Sequence, residues 1–120
     1  MRGAWIGVAL LLAGSVPVSA ADSIAAYGKY YFRSSIMQKC HPVQDAATRA
    51  FLAKGEGLQR AALEEFWAEI DAVNPTHHRE NRIRAEEMLQ QERAARDVEI
   101  DAQIRNKGCE QAGREGLSGR

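Results

Sequence analysis

The sequence predicts an all-α fold: a small domain of three to four helices with a long charged C-terminal helix, closed by one disulfide. Three observations predict it. Apolar residues recur at helical spacing along the chain. No Gly or Pro interrupts residues 76–107. Only two cysteines, Cys40 and Cys109, follow a segment patterned for export, and a cysteine pair in an oxidising compartment reads as a disulfide.

The export pattern occupies residues 1–21. Met1-Arg2 is a short basic start. Ala4 to Ala13 is an apolar run, Gly14, Ser15 and Pro17 break it, and Val18-Ser19-Ala20 is a small-x-small triplet before Ala21. This is the order of a secretory signal peptide, with cleavage after Ala20 or Ala21. A membrane span needs about twenty apolar residues, and this run is about half as long. The mature chain is therefore expected to be periplasmic or secreted, with no membrane span. The disulfide would close a loop of about seventy residues, which contributes about 4 kcal/mol in the chain-entropy model.

Residues 22–110 are expected to form the helical domain. Asp22-Ser23 supplies an N-cap for a first helix over about 24–40, with Ile24, Tyr27 and Tyr31 on one face and Phe32, Ile36 and Cys40 beside it. Pro42 suits a first helical position, and Val43, Ala46, Ala47, Ala50 and Phe51 carry helical spacing to Lys54. Gly55 reads as a stop and Gly57 as a second hinge. Leu58, Ala62, Phe66, Ile70 and Val73 then step by four, four, four and three, the clearest amphipathic stripe in the chain. Asn74-Pro75 reads as the cap and first residue of the long helix, which runs to about Asn106. Gly108, Gly113, Gly116 and Gly119 predict a disordered tail over 111–120.

The halves of the chain differ in apolar content. Counting Ile, Leu, Val, Met, Phe, Tyr and Trp, residues 24–73 hold sixteen and residues 74–120 hold seven. The long helix must draw stability from elsewhere. Glu80–Arg84, Glu92–Arg96, Asp101–Arg105 and Glu110–Arg114 place acid before base at i,i+4, the favourable order, at about 0.2–0.5 kcal/mol per pair. Asp97 and Asp101 repel at the same spacing; Arg93 and Arg105 are near enough to relieve them, and a hard cation held by carboxylates alone is the other way to do so.

Function is bounded more than it is identified. With 16 basic and 16 acidic residues the chain lacks the basic excess of a nucleic-acid binder. No nucleophile elbow, phosphate loop, dinucleotide fingerprint, zinc-protease pair or calcium loop occurs. No enzyme and no cofactor are expected. A polar helix with few core residues suits a binding role instead: chaperone, adaptor or inhibitor of another envelope protein, or a second copy of this chain. Arg82 and Arg93 mark the expected surface on the long helix, and Tyr30, the outward member of the Tyr27–Phe32 aromatic patch, marks a second.

Metal binding is the alternative. His77, His78 and Glu80 lie within one turn, with His77 and Glu80 at i,i+3, a spacing that can converge on a cation. The plainer reading leaves them in an exposed first turn. If Cys40 bonds Cys109, then His41, Asp45 and Glu110 are drawn together and could hold a divalent or other hard cation. The plainer reading makes His41 a turn residue before Pro42.

The signal segment, the helical hairpins and the Arg-, Glu- and Gln-rich long helix over about residues 58–105 resemble the CpxP-like stress and metal-resistance group of the bacterial envelope. That group's L-T-x-x-Q motif is absent, since Leu58-Gln59-Arg60 does not supply it, and no functional residue is carried over.

Overall fold

The computed structural model describes residues 18–41 and 45–117, with side chains to Glu115. The start of the export segment (1–17), Pro42–Gln44 with their expected helix start, and residues 118–120 lie outside it. The described residues form four helices and no strand: α1 Val18–Cys40, α2 Ala46–Val73, α3 His78–Lys107 and α4 Cys109–Leu117. One disulfide joins Cys40 to Cys109. The fold class is the one the sequence predicts.

α1 is the middle element. It packs against α2, α3 and α4, whereas α2 and α3 meet over a short stretch. The molecule measures 46 × 29 × 19 Å. Its long dimension matches the ~45 Å that 30 residues of α-helix span.

The apolar stripe of α2 explains the main core. Ala62, Phe66 and Ile70 close on Ala20, Ile24 and Tyr27 of α1 and on Ala85 and Leu89 of α3. The ends of the stripe stay outside: Leu58 is 36% and Val73 59% exposed. Val73 lies in the last turn of its helix, and Leu58 lies where α3 has parted from α2. A second, smaller cluster of Ile36, Ile100 and Ala112 sits at the disulfide end.

Four local expectations are corrected. α1 is already helical at Val18, so Ser23 is not an N-cap; it is buried, and its hydroxyl donates to Glu69 Oε1 of α2 at 2.9 Å. α2 runs unbroken through Gly55 and Gly57, with Asp45 as its cap. Gly55 serves packing, because a Cβ there would run into the Ser34 hydroxyl on α1; a Cβ at Gly57 would meet nothing. Asn74 ends α2 instead of starting α3, and α3 starts at His78 after a turn that holds Pro75. Asn81 fastens that turn: its buried side-chain amide donates to Asp71 Oδ1 and to the Asn74 carbonyl, both at 2.9 Å.

The fourth correction concerns the tail. Disorder is expected from residue 111, but α4 is helical over Cys109–Leu117. Gly108 makes the corner at φ 83°, a backbone conformation that a residue with a side chain rarely adopts. The disulfide then fixes the first residue of α4, and Ala112 is buried against Ile36 and Ile100. Local composition could not show that contact.

Candidate functional site

α1 and α3 run parallel, and a polar ladder joins them. Tyr27 and Tyr31 are one turn apart on α1, with rings stacked at 5.9 Å between centroids. Arg93 and Asp97 are one turn apart on α3. Arg93 Nε donates to the Tyr27 hydroxyl at 2.6 Å, and the Tyr31 hydroxyl donates to Asp97 Oδ1 at 2.7 Å. The Arg93 guanidinium also lies 5.7 Å and 6.0 Å from the two ring centroids, within cation–π range. Beside this ladder the Glu92 carboxylate lies over Gly28, in space that a Cβ would fill. Arg96 links Glu92 at 3.3 Å to Glu99 at 2.8 Å.

The ladder shapes the chemistry of Tyr31. Burial, the hydrogen bond to Asp97 and the charge of Asp97 hold its phenol above the usual range, opposed by the Ser35 side chain. The proton stays on Tyr31, which keeps it a donor. The arrangement is a structural clamp, in which short charge-assisted bonds join α1 to α3.

A second contact ties α3 to α2. The Arg82 guanidinium stacks over Trp67, 4.2 Å from the ring centroid. Trp67 Nε1 is buried there without a hydrogen-bond partner. Trp67, Ile70, Asp71, His78, Asn81, Arg82 and Ala85 border a cleft of about 190 Å³. His78 Nδ1 is 3.2 Å from Asp71 Oδ1. The Asn81 amide, then His78, hold the Asp71 carboxyl below the usual range.

Arg82 and Arg93 are exposed on α3 and also reach across to other helices, their head groups engaged on Trp67 and on the tyrosine pair. Both side chains are long enough for the stem to cross the surface while the head group binds a neighbouring helix. Tyr30 is half-buried, not the open aromatic the sequence predicts. Of the four i,i+4 pairs, Glu92–Arg96 and Glu110–Arg114 close, at 3.3 Å and 3.5 Å. Glu80–Arg84 and Asp101–Arg105 do not, and Asp101 pairs with Lys39 of α1 at 3.6 Å. The Asp97–Asp101 repulsion is thus eased by Tyr31 and Lys39 of α1, not by Arg93 and Arg105.

The candidate metal ligands are dispersed. His77 Nδ1 contacts the Thr76 hydroxyl at 3.0 Å, and Glu80 is exposed. Asp45 caps α2, accepting from Thr48 N–H at 2.8 Å, which with the Thr48 side chain holds its carboxyl below the usual range. Glu110 pairs with Arg114. His41 lies beside Gly113 of α4. Among the described residues no group of three or more His, Cys, Asp or Glu side chains could hold a metal ion.

A polar cleft of about 300 Å³ separates the α1 and α2 surfaces at Tyr31, Ser34, Ser35, Gln38, Leu52, Ala53, Glu56 and Gln59. Gln59 Nε2 donates to Ser34 Oγ across it at 3.2 Å.

The outward face of α3 is different in kind. Among the described residues the large exposed apolar side chains include Ile83 at 54% and Val98 at 70%. Both lie on the side of α3 opposite Ala85, Leu89 and Ile100, with Ala94 between them also exposed. The tyrosine ladder was missed from sequence, although a signal for it exists. Tyr27/Arg93 and Tyr31/Asp97 share one separation, 66 residues, as two parallel helices in register require.

No protein family matches the chain, and no curated protein or solved structure matches it. The likeness of residues 58–105 to the envelope-stress group rests on architecture alone.

Proposed function

We propose that this chain is an exported, non-enzymatic binding protein of the cell envelope that works through the outward face of α3. One observation carries the reading: Ile83 and Val98 are exposed β-branched residues on a 30-residue helix. β-branched side chains form helix less readily than Ala, Leu or Glu, and at 54% and 70% exposed these two leave much of their apolar area in water. The fold gains little from them on that face, whereas a partner could cover them. Arg82 and Arg93, fastened to α2 and α1, set the orientation of the helix that presents the face.

One fact agrees with export. The chain carries a disulfide, which persists in oxidising compartments. No helix among the described residues is long and apolar enough to cross a membrane.

The test places a photo-crosslinking residue at Val98 in the full chain, expressed with its own N-terminus. The expected result is a discrete adduct in the envelope fraction that disappears with Ile83→Glu at unchanged melting temperature. The mature N-terminus should read Ala21 or Asp22, a cut that removes Ala20 from the Phe66 cluster and leaves its other seven members in place. No adduct, or an adduct indifferent to Ile83→Glu, contradicts the binding surface. An unprocessed chain with reduced thiols contradicts export.

A further inference from the structure

We propose that α4 is a thiol-releasable strap: reducing Cys40–Cys109 frees α4 and uncovers Ile36 and Ile100, while the α1–α2–α3 core around Phe66 stays folded.

The inference starts from what holds α4. It has nine residues, too few for an isolated helix to persist in water. Ala112 is its only described side chain inside an apolar cluster, and one methyl group offers little burial. Gly113 lies against Cys40 and His41 but has no side chain to bury. Lys107–Glu115 at 2.7 Å adds a partly exposed ion pair, which contributes little. The covalent link supplies what these contacts do not: it joins the last residue of α1 to the first of α4 across a sequence separation of 69.

Gly108 completes the device. It stands at φ 83° between α3 and α4, and a Cβ there would meet nothing, so that side of the corner is open. Once the link is cut, α4 can swing about this residue without disturbing α3. Both cysteines are half-buried, not sealed in a core, so a thiol can reach them. Under the strap lie Ile36, 5% exposed, and Ile100, 0% exposed. The eight buried residues of the other cluster include none from α4.

The chemistry is thiol–disulfide exchange. A dithiol attacks one sulfur through its thiolate, the Cys40–Cys109 bond breaks, and the reagent closes to its own disulfide. Two electrons and two protons pass to the cysteines, which end as two thiols.

The experiment is hydrogen exchange by mass spectrometry on the intact chain, with and without dithiothreitol. On reduction, amides of residues 109–115 should exchange as in an unfolded chain, while those of 62–70 and 85–89 should remain protected, their exchange quickened only by the lower global stability. Unchanged protection at 109–115 overturns the proposal, because other contacts then suffice. Loss of protection at 62–70 as well also overturns it, because the two ends then unfold as one. A second variant sharpens the reading. Gly113→Ala would place its methyl at 3.7–3.9 Å from Cys40 and His41, ordinary contact, and raise helix propensity. In the reduced chain it should slow exchange across α4 and leave 62–70 unchanged. No slowing would mean that α4 opening is not governed by its own helix and its contact with α1.

Discussion

At the turn end of the molecule, eight buried side chains from α1, α2 and α3 close on one another around Phe66; at the disulfide end, among the described residues, Ile36, Ile100 and Ala112 do so. Between them the α1–α3 interface is polar, built from Tyr27, Tyr31, Arg93 and Asp97. The turn end is held by apolar area, a distributed term that no single bond controls. The disulfide end is held mainly by one covalent link whose strength depends on its redox surroundings. A helix poor in core residues can thus be kept on a small domain by three different means along its length. Each means responds to a different perturbation.

The comparison can be broken first at its strong end. Phe66 is 0% exposed, so Phe66→Ala should cost about 4–5 kcal/mol through lost burial and a cavity. Urea unfolding followed by Trp67 fluorescence measures it. A cost below about 2 kcal/mol would mean that this end can collapse around the gap. Removing the link, with Cys40→Ser and Cys109→Ser, should lower global stability by about 4 kcal/mol. Ile100→Ala should cost about 2 kcal/mol, at the low end for its type, because its cluster is small and can close up. If Ile100→Ala equals Phe66→Ala, the two ends are not distinct.

Two smaller effects sharpen the description of the interfaces. Gly57→Ala should stabilise by about 0.5–1 kcal/mol, since a helix interior gains from Ala and no neighbour stands in the way. Gly55→Ala, two residues earlier, should lose that gain to the Ser34 hydroxyl. The melting temperatures of the two variants should move apart. The last effect is alkaline. A phenol held above its usual value of 10.0 favours the folded state below that pH, and the advantage is lost as pH rises through the folded value. Tyr31→Phe should remove this dependence, as seen in unfolding curves between neutral and alkaline pH.

Much of this was legible in the residues. The Phe66 stripe was readable because burial along one helix face imposes its own period. The cysteine pair was readable because two thiols and an export pattern leave few alternatives. Gly55 misled because glycine is read as local punctuation, while here it makes room for Ser34, a residue of another helix. The tail misled for the same reason: Ala112 gains its order from α1 and α3. Arg82 and Arg93 are exposed, but charge alone does not show that a guanidinium also binds aromatic faces, which Trp67, Tyr27 and Tyr31 provide. Long-range partners are invisible to propensity. They leave only faint traces, such as the shared 66-residue offset of the ladder.

Trp67 lies beside the main core and far in sequence from either cysteine, so its emission reports the turn end. The most direct measurement is therefore the Trp67 spectrum and urea transition of the mature Cys40→Ser/Cys109→Ser chain without denaturant at neutral pH. A native spectrum and a cooperative transition, displaced to lower urea, are the predicted outcome. An emission matching the unfolded chain before any urea is added would contradict two separately held ends.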